Sequence, residues 1–190
     1  TAHAGGVAAV AFHPSQPVLY TPGADGLVKG WSLPIDPKEP KEKAVKHTIK
    51  AHAGKVLAAL VHPTTGQVIT AGADKLVRVW DPAKPEKPVR EIGPLANAVA
   101  VLALSRDGTL LAGASGKDVL VWNTADGKDG GKFTQTADVL ALSFSADKTR
   151  LLVGRADNLA ALMEVKDGTV VQTFPHTGAV RGVLSHPSTP

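Results

Sequence analysis

The stretch AHAGKVLAALVHPTTGQVITAGADKLVRVWD, residues 51–81, contains three short apolar runs separated by turn-forming residues. The turns are His-Pro-Thr-Thr-Gly after the first run, Gly-Ala-Asp-Lys after the second and Asp-Pro after the third. Short β-rich runs between such turns predict consecutive antiparallel strands. The stretch therefore predicts an antiparallel meander of strands, and the remainder of the chain repeats its pattern.

The repeat is clearest when the chain is aligned on the large residue that ends the third run. Three tryptophans and one methionine take this place at spacings of 49, 42 and 41 residues: Trp31, Trp80, Trp122 and Met163. An aspartate lies six positions earlier in three units, at Asp25, Asp74 and Asp157. The first two units also have a threonine ten positions earlier and a histidine 28 positions earlier, which are Thr21, Thr70, His3 and His52. Self-similarity at a fixed period predicts a repeat architecture.

The first strand of the unit occurs five times, although there are only four complete units. Each occurrence begins with a valine, at Val7, Val56, Val99, Val139 and Val180. The fifth valine is the last residue of PHTGAV, which matches AHAGGV and AHAGKV of the first two units. The predicted units are residues 1–50, 51–94, 95–136 and 137–175, with an extra strand in 176–190. Within the first unit we expect strands at 7–12, 17–22, 27–32 and 44–50, and a solvated loop at 34–43.

This unit resembles a WD40 repeat. The matching dipeptides are Ala2-His3, Ala51-His52 and Pro175-His176, and the closing pairs are Trp31-Ser32, Trp80-Asp81 and Trp122-Asn123. The resemblance covers nearly the whole chain, and its Ala-, Gly- and Pro-rich style is of a bacterial type. It implies an all-β propeller built of four-stranded antiparallel blades. Four blades and one strand fall short of a WD40 ring, so we expect two chains to complete an eight-bladed ring by oligomerisation.

Histidine, threonine and aspartate are also the ingredients of a catalytic triad, but an enzyme needs one such set, whereas this chain repeats it. The resemblance instead implies a structural tetrad, in which the carboxylate accepts from the histidine, the hydroxyl bridges and the indole donates. A buried carboxylate needs such partners, and a complete network in a low dielectric is strong. The predicted tetrads are His3, Thr21, Asp25, Trp31 and His52, Thr70, Asp74, Trp80. Partial tetrads are expected at Trp122 in the third unit and at Asp157 in the fourth.

A second set of histidines ends three of the first strands, at His13, His62 and His186. Three equivalent histidines could bind a metal ion, but Ser105 and Ser145 take the same place in the intervening units. We therefore interpret this position as a cap of the strand-ending turn. We expect no metal site, no cofactor and no catalytic residue.

Composition argues against several classes of protein. There is no cysteine, which excludes disulfides and thiolate metal sites. The net charge is +4 and aromatic residues make up only 4%, so neither a strong basic surface nor base-stacking platforms favour nucleic-acid binding. The sequence has no apolar run of eighteen residues and no basic start, so we expect neither a membrane span nor a signal peptide in this stretch. The compartment is left open.

The expected function is a non-enzymatic scaffold that binds an unidentified protein or itself, with a homodimer as the first expectation. The expected junction between copies consists of the terminal first strands, represented by Val7, Val10, Phe12, Val180 and Val183. One alternative is a fragment of a larger bacterial propeller protein with a regulatory or ligand-binding role. Another is an enzyme or sugar-binding propeller, which would need acids or a metal where the inward strand residues are valine, alanine and leucine.

Overall fold

The structure, a computed structural model, describes residues 3–33 and 44–186. The described residues form sixteen strands in four antiparallel sheets. No α-helix lies among them, and none of the described residues belongs to a helix that could cross a membrane. The predicted all-β class with four-stranded antiparallel sheets is confirmed, whereas completion of a ring by a second chain stays a prediction.

In every sheet each strand pairs with the next strand in chain order. The first sheet contains β1 (Ala11–Phe12), β2 (Val18–Pro22), β3 (Leu27–Ser32) and β4 (Val45–Lys50). The second contains β5 (Val56–Val61), β6 (Val68–Gly72), β7 (Val77–Trp80) and β8 (Arg90–Ile92). The third contains β9 (Val101–Leu104), β10 (Leu110–Ser115), β11 (Asp118–Asn123) and β12 (Asp129–Thr134). The fourth contains β13 (Val139–Phe144), β14 (Arg150–Arg155), β15 (Leu159–Glu164) and β16 (Val170–Pro175).

The chain divides into two compact units, residues 1–99 with the first two sheets and residues 100–190 with the last two. Each unit has its own apolar core. The core of the first unit includes Val18, Tyr20, Val28, Ile49, Val56, Val68 and Trp80. The core of the second unit includes Ala112, Val119, Val121, Phe144, Leu151, Val153 and Met163. Aliphatic side chains dominate both cores, as expected from a chain with 4% aromatic residues.

The tight turn between the second and third strands of a sheet has a residue with a left-handed backbone conformation directly after the aspartate. Gly26, Lys75 and Asn158 take this place with φ angles of 79°, 65° and 66°. Gly26 has a further role, because a Cβ there would lie 2.4 Å from the carbonyl oxygen of His52. Only glycine allows this close approach between the first and second sheets.

The first strand is shorter than predicted. Residues 7–12 were expected to be extended throughout, but the structure has a strand only at Ala11–Phe12 and an isolated bridge between Val7 and Gly23. The valine and phenylalanine side chains of this segment are exposed, so burial does not hold the whole segment in the sheet. The other three strands of the first sheet lie within one residue of their predicted bounds, and the predicted loop at 34–43 lies outside the described residues.

The prediction of an extra strand after residue 175 is wrong for the part that the structure describes, residues 176–186. This segment lies against the fourth sheet without joining a ladder. The backbone N–H of Val180 donates to the carbonyl oxygen of Arg155 at 3.0 Å, and that of Ser185 donates to Oγ of Ser143 at 3.1 Å. A strand needs a continuous row of such bonds with one neighbour, and these two bonds reach different strands. Val183 is half-buried in the same segment.

Candidate functional site at the tetrads and the terminal strands

The first tetrad is a continuous chain of hydrogen bonds across the first sheet. Nδ1 of His3 lies 2.9 Å from Oδ1 of Asp25, and Nε2 lies 2.9 Å from Oγ1 of Thr21. The indole N–H of Trp31 donates to the same hydroxyl at 2.7 Å. The His3 side chain is fully buried, whereas Asp25 is 17% exposed. The carboxylate thus lies at the rim of the sheet and the indole lies in its interior.

The protons of this network can be assigned from the donors available. The indole of Trp31 can only donate, so the Thr21 oxygen accepts from it. The Asp25 carboxylate can only accept, so the Nδ1–H of His3 donates to it. Two backbone N–H groups also donate to this carboxylate, those of Ala4 and Leu27. Both ring nitrogens of His3 are therefore held by side chains of the first sheet.

The second tetrad has the same arrangement. Nδ1 of His52 lies 2.8 Å from Oδ1 of Asp74, and Nε2 lies 2.8 Å from Oγ1 of Thr70. Trp80 donates its indole N–H to Thr70 at 3.0 Å. The structure thus brings together the four members of each predicted set.

Arg78 extends the second tetrad, and the sequence reasoning missed it. Its Nη1 donates to Oδ2 of Asp74 and to the carbonyl oxygen of Ala51, both at 2.8 Å, and its Nε donates to Glu91 at 2.7 Å. The guanidinium therefore ties the turn of the second sheet to its outer strand. Its place two residues before Trp80 is the only signal that the sequence carries, and Lys29 takes that place in the first unit.

Burial and hydrogen bonds have opposite effects on the pKa values of the titratable side chains in the tetrads. Burial raises the pKa of Asp74, but hydrogen bonds from Arg78 and His52 outweigh it and hold that pKa below its usual value. For Asp25, burial is likewise outweighed by the hydrogen bond from His3 and by backbone donors, so its pKa is also lowered. Burial lowers the pKa of His52, although Asp74 opposes this effect. The folded state thus favours ionised carboxylates and a neutral His52.

These shifts predict that the protein loses stability as the pH falls, in two windows. The lowered pKa of His52 means that the unfolded chain takes up a proton first, so stability decreases as the pH falls below about 6.5. The lowered pKa values of Asp25 and Asp74 give stability that is present above about pH 3.9 and is lost below it. We expect urea midpoints to decrease from pH 7.5 to 5.5 and to drop again below pH 4.

The control for the upper window is His52→Gln, which removes the titrating group and keeps an amide at its place. The decrease of the urea midpoint between pH 7.5 and pH 5.5 should be smaller in this variant. Part of the slope should remain, because burial also lowers the pKa values of His13 and His47. An equal slope in both proteins would contradict the assignment to His52.

The third and fourth sheets depart from the tetrad. In the third sheet Trp122 is buried, but Ala112 takes the threonine place and Gly116 the aspartate place. In the fourth sheet Asp157 accepts from Oγ1 of Thr136 at 3.0 Å and from Nε of Arg155 at 3.1 Å. The two predicted remnants, Trp122 of the third unit and Asp157 of the fourth, thus lie in different sheets.

Gln135 is a second residue that the sequence reasoning missed. It lies 28 positions before Met163, which is the histidine place of the fourth unit. Its Nε2 donates to Sδ of Met163 at 3.7 Å, and both side chains are buried. Applying the histidine offset to the fourth unit would have found it. The fourth sheet therefore keeps a buried side-chain contact at the histidine position, but an amide and a thioether form it.

Restoring the aspartate of the third unit should not stabilise it. Gly116 has a φ of 60°, and a Cβ there would lie 3.8 Å from Oδ1 of Asp138. Ala112 and Pro94 take the threonine and histidine places, so a new carboxylate would have no tetrad partner. We expect Gly116→Asp to lower the free energy of unfolding by about 1 kcal/mol, through backbone strain and like charge. Gly116→Asn is the uncharged control, and a gain in stability from the aspartate alone would contradict this expectation.

The residues that end the first strands bind the backbone of the following turn. Nδ1 of His13 accepts from the N–H of Gln16 at 3.0 Å, and Nδ1 of His62 accepts from the N–H of Thr65 at 3.3 Å. In the third repeat, Oγ of Ser105 accepts from the N–H of Leu110 at 2.9 Å. The histidine and serine positions thus perform the same local task, and no group of three histidines or acids in the described residues could hold a metal ion.

The exposed apolar side chains are concentrated in two places. On and beside β1, Val7, Val10 and Phe12 are 46%, 60% and 66% exposed. On β16, which is exposed along its whole length, the apolar residues are Val170, Val171 and Phe174. Each of these strands pairs with one neighbour within the described residues. Both units therefore have an apolar edge.

Comparison with known proteins gives matches to a family profile and to solved structures. A sequence profile of the WD40 family, described as WD domain, G-beta repeat, matches residues 1–32 and 43–81. No curated protein sequence matches the chain at a significant level. Among solved structures, a chain of "Crystal Structure of Mitotic Checkpoint Complex" matches with a TM-score of 0.80 and 20% identity. The match covers 95% of this chain and 56% of that chain, and at this identity it concerns the fold.

Proposed function

We propose that this chain, which belongs to the WD40-repeat family, is a non-catalytic scaffold that binds other protein chains, the first of them being a second copy of itself. WD40 propellers are in general non-enzymatic scaffolds for protein binding. Each of the four sheets is one blade of such a propeller. The solved chain with the same fold is part of a complex, and this chain spans 56% of its length.

The observation that carries the proposal is the exposed apolar edge of the first blade. Phe12 on β1 and Val10 directly before it are more than half exposed, and β1 pairs with one strand, β2. An edge strand presents unpaired backbone groups to a second chain, and an apolar surface patch favours a protein partner. A second chain would satisfy both requirements at once.

The fourth blade supports the same conclusion. Its outer strand β16 is exposed at every residue, and Leu184 in the following segment is 88% exposed. In a propeller, each blade covers the apolar side of its neighbour. Two copies would contribute eight blades to one ring, and the edge of each copy would be covered by the other.

The tetrads favour a structural role over catalysis. In each of them the histidine, hydroxyl and carboxylate bind one another or the backbone. All buried polar side-chain atoms of the described residues have a hydrogen-bond partner. A nucleophile activated by a base must be accessible to a substrate. The threonine hydroxyls of the tetrads are buried and accept the indole N–H groups.

Sedimentation velocity at increasing protein concentration tests the proposal. We expect the wild-type chain to self-associate, and the double variant Val10→Ser/Phe12→Ser to weaken this association at least about tenfold by removing apolar contact area. Val89→Ser is the matched control. Val89 is 53% exposed in the same compact unit, 1–99, but it directly precedes β8, which belongs to the other sheet of that unit. Equal association of the double variant and the wild type would refute this edge as the binding surface.

A further inference from the structure

The turn after the first strand of each sheet is capped by a side chain that accepts backbone N–H groups. In the third and fourth sheets the cap is a serine hydroxyl. Oγ of Ser105 and Oγ of Ser145 each accept the N–H of the residue five positions later, at 2.9 and 3.0 Å. In the first and second sheets the cap is the imidazole of His13 or His62. A histidine titrates in the physiological pH range and a serine does not, so only the caps within residues 1–99 respond to acid.

The backbone donors fix the protonation state in which the His13 ring works as a cap. Its Nδ1 accepts from the N–H of Ser15 at 3.2 Å and from the N–H of Gln16 at 3.0 Å. A ring nitrogen accepts only when it carries no proton, so the single proton of the neutral ring is on Nε2. Protonation of the ring would put a third donor in place of the acceptor, and both backbone bonds would be lost. The cap therefore exists only in the neutral form of His13.

The surroundings of His13 also favour its neutral form. On one side the ring lies against the first turn of the second sheet, where a Cβ at Gly66 would collide with Nε2, and residues 63–66 of that turn carry no charge. On the other side lie Lys46 and His47 of β4. Burial and the charge of Lys46 both lower the pKa of His13. The carboxylate of Asp81 acts on His47, and no acidic side chain of the described residues acts on His13 to stabilise its proton.

The His13 cap lies at the end of a very short strand. β1 has two residues, and each of them pairs with one residue of β2. The N–H of His13 adds one bond to this ladder, 2.9 Å to the carbonyl oxygen of Val18. The capped turn is therefore a large part of what holds β1 in the first sheet. Phe12, whose exposed ring belongs to the proposed binding edge, directly precedes the cap.

We propose that His13 makes the self-association of the chain sensitive to acid: its neutral ring caps the β1–β2 turn and holds Val10 and Phe12 on the binding edge, and its protonation releases them. This inference rests on the proposed self-association and adds its regulation. Protonation removes the acceptor of two N–H groups, and it also puts a charge beside an apolar contact, which costs desolvation energy. Both effects favour separate chains in acid.

The second histidine cap provides an internal comparison. Nδ1 of His62 accepts from the N–H groups of Thr64 and Thr65, so its turn has the same construction. However, His62 follows β5, which pairs with β6 at five positions and has no exposed residue. Loss of this cap leaves a long ladder in place and releases no exposed apolar side chain. The acid response of self-association should therefore depend on His13 and not on His62.

Sedimentation velocity at pH 7.5 and pH 5.5 measures the acid response. The pKa of His13 is lower while the edge is held than in a released chain, so association is strongest above about pH 6.5 and weakens below it. One histidine per chain can weaken the held state by at most about tenfold at one pH unit below that value. We expect the dissociation constant of the wild-type dimer to rise about tenfold at pH 5.5, within the limit set by two such histidines.

Three variants assign the response. His13→Asn places an uncharged Oδ1 where Nδ1 lies, and asparagine accepts N–H groups of the following turn, so its association should be equal at both pH values. His62→Asn should respond to acid as the wild type does. His13→Ala has neither acceptor nor charge and should associate weakly at both pH values. A full acid response in His13→Asn, or its loss in His62→Asn, would overturn the proposal.

Amide hydrogen exchange separates this inference from self-association, because it follows the cap within one chain. Protection of the Ser15 and Gln16 N–H groups, relative to the exchange rate of an unstructured peptide at the same pH, should be lower at pH 5.5 than at pH 7.5. In His13→Asn it should not change. Equal protection at both pH values in the wild type would refute the titrating cap even if the chain self-associates. A monomer at every concentration would overturn self-association and its regulation, whereas the exchange data would still decide whether His13 is a titrating cap.

Discussion

Replacing Asp74 with alanine is expected to lower the free energy of unfolding by about 2–4 kcal/mol. The substitution removes the acceptor of His52 and of Arg78, whose hydrogen bonds to the carboxylate are both 2.8 Å long. His52 is fully buried at its side chain, so solvent cannot replace the lost acceptor. Arg78 would be left with Glu91, the carbonyl oxygen of Ala51 and Nδ1 of His52. Guanidinium denaturation at pH 7.5, followed by tryptophan fluorescence, measures the effect.

The matched control is Asp126→Ala. Asp126 also lies in a turn and accepts a backbone N–H, that of Lys128 at 3.0 Å, but its side chain is exposed. We expect its denaturation midpoint to be nearly that of the wild type. If Asp74→Ala shifted the midpoint as little as Asp126→Ala does, the carboxylate would not be an energetic part of the second tetrad.

Replacing Trp80 with alanine is expected to cost about 3–5 kcal/mol. Trp80 is 3% exposed and packs with Tyr20, Val56 and Val68 in the core of the compact unit 1–99. Its indole also satisfies the hydroxyl of Thr70, which has no exposed surface. The loss therefore combines a cavity with a missing donor, and denaturation of the variant measures the sum.

Two phenylalanine variants separate these contributions. Trp80→Phe keeps most of the packing and removes the N–H, and we expect it to cost about 1–3 kcal/mol. Trp122→Phe is the control for ring size, because Ala112 offers that indole no hydroxyl. An equal cost of the two phenylalanine variants would show that the bond to Thr70 adds nothing to packing.

The sequence predicts those features that recur at fixed offsets. Strands β2, β3 and β4 were predicted within one residue because apolar runs alternate with turn residues there. The tetrad members were found by counting back from Trp31 and Trp80, and the structure brings them within hydrogen-bonding distance. Periodicity is informative here because every blade solves the same packing problem.

Features that depend on a neighbouring surface could not be read in the same way. Residues 7–12 and 180–185 have the pattern of a first strand, yet one is shortened and the other forms no strand. The local sequence does not specify whether such a segment pairs with a neighbouring strand along its whole length. Arg78 was missed for a related reason, because it joins Ala51 to Glu91 across the fold.

Copies of this chain are proposed to cover one another's apolar edges. The solution mass tests this proposal, measured by light scattering coupled to size-exclusion chromatography over a series of protein concentrations. Self-association predicts a mass that approaches twice 19.6 kDa as the concentration rises. A mass that stays at 19.6 kDa at every concentration would contradict it.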